Sequence, residues 1–207
     1  YPEMTESAYR AAVTQGADGF ECDLRLTRDE VPVLWHNATM LERAGHDGLI
    51  AEMSMAQVQR AYPQILTLDD FLDIAIDEKK GVLVETKHPV ISGNRVEEIL
   101  LEKLKTREVL SKIDVSVMSF SWSAIEKVKR LDSSIPTTFL MSKKTLWPQV
   151  RFTSASSIGP GINEVRNNPA LISKLKKLGK SVAVWTVDRG EDIELCKELG
   201  VDILITN

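Results

Sequence analysis

The chain has 207 residues, of which 43% are hydrophobic, and 26 Lys and Arg against 30 Asp and Glu give a formal net charge of -4. This composition is typical of one folded domain with a full core. The scattered positive charges offer no basic surface for nucleic acid, and no apolar run reaches the roughly 20 residues of a membrane-spanning helix.

The two cysteines, Cys22 and Cys196, lie far apart in the sequence and form no recognisable metal or redox spacing. We therefore expect both to be reduced and structural. No charged region followed by an apolar one opens the chain. These features fit a cytoplasmic protein, and the sequence carries no information on the oligomeric state.

The first predicted element is a helix from Thr5 to Gln15, with Gly16 as its stop. A strand-like run at 20–24 follows, and its alternating side chains place Glu21 and Asp23 on one face. Carboxylates held roughly 7 Å apart along a strand repel each other, so a cation is expected between them. A divalent metal ion is the natural candidate, and the alternative is an ordinary half-exposed strand with solvated carboxylates.

The apolar run from Val31 to Trp35 is predicted to return antiparallel, as a hairpin arm. Only a few residues separate it from the strand before, whereas a parallel crossover needs about a dozen. The arm carries His36 back toward the carboxylates. The segment 38–63 then interrupts the rhythm of strands and helices, and we predict a small helical insertion that shapes substrate access.

The strand-like run at 82–86 repeats the polar pattern, because Glu85 and Lys87 share a face. Glu21, Asp23 and Glu85 then form a ligand set of oxygen atoms alone. Such a set favours a hard cation, Mg²⁺ or Ca²⁺, over zinc.

Strand-like runs and helical patterns alternate through the rest of the chain, which predicts an α/β fold with a parallel sheet. The later runs are 115–119, 136–141, 155–159, 182–187 and 202–206. Without the hairpin arm there are seven parallel-type strands, so we expect a barrel that lacks its first strand and its final helix. Phe120 and Trp185 lie near the C-terminal ends of strands, where barrel enzymes build their sites, and are candidates for substrate walls or for core packing.

Several short motifs resemble the glycerophosphodiester phosphodiesterase family in their order and spacing. They are Pro2-Glu3-Met4-Thr5, Gly16-Ala17-Asp18-Gly19-Phe20-Glu21-Cys22-Asp23, Leu26-Thr27-Arg28-Asp29, Val33-Leu34-Trp35-His36-Asn37, Val84-Glu85-Thr86-Lys87, Val184-Trp185-Thr186-Val187-Asp188 and Gly200-Val201-Asp202-Ile203-Leu204-Ile205-Thr206. The resemblance implies a TIM-type (β/α)8 barrel in a single phosphodiesterase domain over 1–207, with 38–63 as an inserted lobe within it.

The resemblance also implies that Glu21, Asp23 and Glu85 hold the divalent cation and that His36 is one of two catalytic histidines. The family's first histidine belongs to a His-Arg-Gly motif upstream of the residues that match Pro2, and this sequence does not contain it. The family usually has Asp where this chain has Asn37, and Asn where it has Met4.

These observations lead to the hypothesis that the chain hydrolyses glycerophosphodiesters to glycerol 3-phosphate and an alcohol, with Lys87 binding the phosphate. One alternative is a phosphodiester-binding or inert barrel that lacks one catalytic histidine. Another is a different barrel enzyme with carboxylates at its strand ends, in which Lys87 is a general base. We expect His46 to be a solvated loop residue and His88 to point away from Glu85 and Lys87.

Overall fold

The computed structural model describes residues 1–207 and divides them into two compact units, Tyr1–Ser116 and Val117–Asn207. None of the helices is both long enough and apolar enough to cross a membrane.

The first unit combines a small sheet with helices and a separate hairpin. Its elements are α1 (Glu6–Thr14), β1 (Gly19–Leu26), β2 (Pro32–Leu34), β3 (Thr39–Met40), α2 (Leu41–Ala44), β4 (His46–Leu49), α3 (Met55–Ala61), α4 (Leu68–Asp77), β5 (Gly81–Thr86) and α5 (Arg95–Thr106). Short 3-10 turns lie at Ile50–Glu52 and Val109–Ser111. Strand β6 (Val115–Ser119) begins in this unit and continues into the next.

The second unit alternates strands and helices. Its elements after β6 are α6 (Trp122–Leu131), β7 (Thr137–Leu140), α7 (Trp147–Phe152), β8 (Ser157–Gly159), α8 (Ile162–Asn167), α9 (Ala170–Lys176), β9 (Ser181–Val184), α10 (Gly190–Glu198) and β10 (Ile203–Leu204). Strands β6 to β10 pair with one another in chain order, all in parallel. Aliphatic residues of these strands and of the covering helices form the core, as the alternation of strands and helices predicts.

The predicted hairpin is confirmed. Strand β2 pairs antiparallel with β1, with Leu34 opposite Leu24, while β5 pairs with the other side of β1 in parallel. A connection of five residues between β1 and β2 is too short for a parallel crossover, which explains the direction. Strand β1 therefore lies between one antiparallel and one parallel neighbour. The seven predicted parallel-type strands are all present.

Helix ends also follow their sequence signals. Thr5 caps α1 by accepting from the backbone N–H of Ala8, and Gly16 stands just after the helix with φ of +87°. A capping box formed by Thr67 and Asp70 opens α4. Local chemistry therefore sets where the two helices that cover β1 begin.

The 38–63 segment is more varied than the predicted helical insertion. It contains α2 and α3, but also the antiparallel pair β3 and β4. Strands of two and four residues are too short to show an alternating pattern, so the sequence carried no signal for them. Trp35 is 1% exposed and lies within an apolar cluster that includes Met40 and Val58. The proposal that 38–63 is a lobe of a single barrel domain stays a prediction.

Candidate metal and catalytic site

Three carboxylates meet on the face that β1 and β5 share. In the parallel register Asp23 lies directly beside Glu85, and Glu21 lies two residues earlier on the same face of β1. One carboxylate oxygen from each residue lies within 4.8 Å of the other two. Asp23 and Glu85 are only 6% and 7% exposed, so the structure brings the predicted ligand set together and buries most of it.

Lys87 supplies the cation within this cluster. Its Nζ lies 3.0 Å from Asp23 Oδ1 and 2.8 Å from Glu85 Oε1. Its backbone N–H donates to Leu24 O at 3.3 Å, which extends the β1–β5 ladder to this residue. Burial disfavours the ammonium, but the two carboxylates outweigh that effect and raise the pKa of Lys87 above its usual value. Lys87 therefore stays charged at neutral pH.

Without a metal ion, the ionised forms of the Glu21 and Glu85 carboxylates are disfavoured. Burial, followed by the charge of Asp23, raises the pKa of Glu85 to about 7. The same two causes raise the pKa of Glu21 well above its usual value. One ammonium does not balance three carboxylates, so the cluster favours either protons or a further cation.

We expect the stability of the cation-free protein to fall as pH rises from about 5 to 8. A Glu85 pKa of about 7 in the folded state, against 4.5 for the free side chain, means that the folded state binds more protons in this window. The stabilising contribution is complete below pH 4.5 and is lost as the pH passes 7. The loss should be about 1–3 kcal/mol, measured by urea unfolding after chelation.

The Glu85→Gln variant, which cannot ionise, is the control and should show a flatter pH profile. In the wild type, saturating Mg²⁺ or Ca²⁺ at pH 8 should restore the stability that the cation-free protein has at low pH, since a bound cation replaces the protons. A wild-type stability that is constant or rises over this range would contradict the prediction.

Two residues whose contacts with the site the sequence did not predict hold the backbone of β1. The Tyr9 hydroxyl donates to Glu21 O at 3.0 Å, and the backbone N–H of Asp23 lies 3.4 Å from Met4 Sδ. Met4 has φ of +54°, a conformation that Asn tolerates better than Met. These contacts join elements far apart in sequence, so strand periodicity alone could not reveal them.

His36 follows β2 and is exposed. Its carbonyl oxygen accepts from Nε and Nη2 of Arg25 at 3.1 and 2.6 Å, and its Nδ1 lies 3.1 Å from Asn37 Oδ1. Arg25 shares the strand face of Glu21 and Asp23. That shared parity is a signal in the sequence that could have identified Arg25, and the prediction missed it.

The other two histidines differ from His36. His46 is exposed, as predicted, and its Nδ1 accepts from the backbone N–H of Gly48 at 2.9 Å. His88 Nε2 lies 2.8 Å from Oε1 of Glu97, a side chain with no exposed surface. His88 therefore has a structural partner of its own.

The two predicted substrate walls lie together in the second unit. The rings of Phe120 and Trp185 meet edge to face, with centroids 5.2 Å apart. Trp185 Nε1 donates to Gly159 O at 2.8 Å, which fixes the indole, and both rings are only partly buried. Their role in binding substrate stays a prediction, as do the roles of His36 and Lys87.

Comparison with known sequences assigns the same family to the whole chain. The model of the glycerophosphoryl diester phosphodiesterase family matches residues 1–207. A Mycobacterium tuberculosis protein named "Probable glycerophosphodiester phosphodiesterase 1" is 32% identical over 225 residues, which cover 97% of this chain and 82% of the relative. A glycerophosphodiester phosphodiesterase of Caldanaerobacter subterraneus is 26% identical, with 100% and 88% covered.

Solved structures show the fold. A phosphodiesterase of Oleispira antarctica, in complex with the product sn-glycerol-3-phosphate, has a TM-score of 0.85 at 20% identity, with 99% of this chain and 87% of that chain covered. A glycerophosphodiester phosphodiesterase of Thermotoga maritima has a TM-score of 0.83 at 20% identity, with 100% and 88% covered. The predicted TIM-type (β/α)8 fold class is thereby confirmed.

Proposed function

The chain belongs to the glycerophosphoryl diester phosphodiesterase family, and we propose that it hydrolyses glycerophosphodiesters to glycerol 3-phosphate and an alcohol with the help of a divalent cation. The observation that carries the proposal is the mostly buried cluster of Glu21, Asp23 and Glu85 with Lys87 beside it. The product in the Oleispira antarctica structure, sn-glycerol-3-phosphate, agrees with the proposed product.

The carboxylate cluster fits a divalent cation. Its three oxygens lie within 4.8 Å of one another, and the raised pKa values of Glu21 and Glu85 reflect negative charge that burial has left incompletely balanced. The ligand atoms are carboxylate oxygens alone, which favours Mg²⁺ or Ca²⁺. When bound, such a cation polarises a phosphoryl oxygen and neutralises charge that develops on it.

Lys87 is proposed to bind the phosphate of the substrate. An ammonium group has three N–H donors, and the contacts with Asp23 and Glu85 use two of them. The third is left for a phosphate oxygen. The raised pKa of Lys87 argues against the alternative in which this residue is a general base, because a base must first lose its proton.

His36 is proposed to move a proton during the reaction, either from the attacking oxygen or to the leaving alcohol. Its exposure leaves the imidazole open to a substrate, and Arg25 holds its backbone. The Phe120 and Trp185 pair is proposed as an apolar surface for the alcohol part of the substrate. The chain is proposed to be one phosphodiesterase domain, with 38–63 as its inserted lobe.

The direct test is release of choline or ethanolamine from glycerophosphocholine or glycerophosphoethanolamine by the purified protein. We expect turnover with Mg²⁺ or Ca²⁺, loss of turnover with a chelator, and recovery when the cation is returned. Formation of glycerol 3-phosphate in equal amount identifies the bond that is cleaved. Binding without turnover would instead favour a phosphodiester-binding barrel, and turnover that is indifferent to chelation would contradict the role of the cation.

A further inference from the structure

A chain of three polar side chains ends at His36. The carboxylate Oε2 of Glu42 accepts from the Asn37 amide Nδ2, and Asn37 Oδ1 lies 3.1 Å from Nδ1 of His36. Glu42 belongs to the first turn of α2. The side chain that follows His36 is therefore held between the imidazole and a carboxylate from a separate element.

The donor and the acceptor in each of these two hydrogen bonds follow from the Glu42 carboxylate at one end of the series. An ionised carboxylate has acceptors only, so the Asn37 group that faces Glu42 is the NH₂ group. The carbonyl oxygen of Asn37 is then the atom that faces His36, and it too is only an acceptor. His36 must therefore carry its proton on Nδ1 when it is neutral, which leaves the lone pair on Nε2.

The segment that carries the imidazole is held at both ends. Before His36, the backbone N–H of Trp35 donates to Asp23 O at 2.9 Å, and Arg25 holds the His36 carbonyl. After it, the indole Nε1 of Trp35 donates to Thr39 O at 2.9 Å. These bonds limit the freedom of the backbone but do not touch the imidazole. The orientation of the ring is set by its contact with Asn37.

The other two histidines have the opposite pattern. Nδ1 of His46 accepts from the Gly48 N–H, so the neutral ring carries its proton on Nε2. Nε2 of His88 faces the carboxylate of Glu97, which again requires the proton on Nε2. His36 is thus the one histidine of the three in the chain with an Nδ1–H tautomer.

We propose that Asn37 and Glu42 are positioning residues that fix the tautomer of His36, so that Nε2 is the atom that takes up or gives the proton in catalysis. The proposal deepens the proposed function and rests on it for the catalytic part. It also assigns a role to Asn37, the position where the related motif usually has Asp: the Glu42 carboxylate acts on the imidazole through the amide.

The tautomers are measurable without any turnover. Long-range ¹H–¹⁵N spectra of protein labelled at histidine distinguish a protonated ring nitrogen from an unprotonated one, and the three rings are assigned by single His→Gln variants. At about pH 8.5, roughly two units above the ordinary imidazole pKa, we expect Nδ1–H for His36 and Nε2–H for His46 and His88. An Nε2–H tautomer at His36 would overturn the proposal even if the protein is an active phosphodiesterase.

Substitutions then separate positioning from simple folding. Glu42→Ala frees the Asn37 amide to turn, so we expect a mixture of tautomers at His36, a roughly five- to tenfold lower kcat and an unchanged KM, because only the correct tautomer reacts. Glu52→Ala, which removes another exposed glutamate of the same segment, is the matched control. It should leave the His36 tautomer, kcat and KM at their wild-type values. A single Nδ1–H tautomer that persists in Glu42→Ala would contradict the role of Glu42.

A reversed pair provides the rescue. In the double variant Asn37→Asp with Glu42→Gln, the carboxylate introduced at position 37 accepts from His36 Nδ1–H and from the new amide at position 42, so the chain is rebuilt with the charge moved to the side chain beside the imidazole. We expect the Nδ1–H tautomer and most of the wild-type kcat to return, in a double-mutant cycle that is clearly non-additive. Loss of the Nδ1–H tautomer and of kcat in this double variant would show that the tautomer does not depend on the hydrogen bonds between Glu42, Asn37 and His36.

Absence of turnover in the wild type and all variants, with the tautomers as expected, would contradict the proposed function and leave the positioning role of Asn37 and Glu42 intact.

Discussion

Replacing Asp23 with Asn is expected to lower kcat/KM for glycerophosphocholine by about a thousandfold, equivalent to ~4 kcal/mol of transition-state stabilisation. Asp23 lies beside Glu85 in the strand register and contacts Lys87 at 3.0 Å, so it belongs to both the proposed cation site and the proposed phosphate contact. The amide has nearly the same shape but no charge. Affinity for Mg²⁺ or Ca²⁺, measured by calorimetry after chelation, should fall in parallel.

The matched control for this experiment is Asp77→Asn, at an exposed position in α4. It removes one carboxylate from the same unit and should leave both turnover and cation affinity at wild-type values. Thermal unfolding of Asp23→Asn should remain cooperative, because the amide can still donate and accept hydrogen bonds in the site. Wild-type cation affinity in Asp23→Asn would contradict the assignment of Asp23 as a ligand.

Strand alternation is sufficient to place Glu21, Asp23 and Glu85 on the correct faces, because the period of two is strict. It does not give the register between β1 and β5. A shift of one residue would move Asp23 away from Glu85, so the close approach depends on tertiary packing that the sequence pattern does not record. The family motifs compensated for this, since their order implied the same ligand set.

The hairpin arm was predictable from connection length, and that prediction also located His36 after β2. The surroundings of His36 were not predictable in the same way. Asn37 lies between β2 and β3, and it reaches Glu42 only because α2 begins directly after β3. Short elements such as these show too few residues for periodicity to identify them. The alternation of strands and helices predicted helices in the region of α7 and α8, but these two have only six residues each, so periodicity did not give their bounds.

Replacing Lys87 with Met is expected to lower kcat/KM by about a hundredfold or more while divalent cations bind more tightly than to the wild type. Met keeps most of the side-chain stem but removes the ammonium that lies 2.8 Å from Glu85 and 3.0 Å from Asp23. The phosphate then loses a positive partner, whereas the cation loses a competing positive charge among the same oxygens. Activity and cation affinity should therefore move in opposite directions, unlike their parallel fall in Asp23→Asn.

The cation-free form of Lys87→Met should also be less stable than the wild type at pH 8, by about 3 kcal/mol, because two buried carboxylates are left without their ammonium partner. Saturating Mg²⁺ or Ca²⁺ should recover most of that loss, as urea unfolding can show. Lys105→Met, at an exposed position in α5, is the matched control and should match the wild type in all three measurements. If Lys87→Met lost activity and cation affinity together, Lys87 would be supporting the geometry of the carboxylates and not the phosphate, and the proposed division of roles between Lys87 and the cation would be wrong.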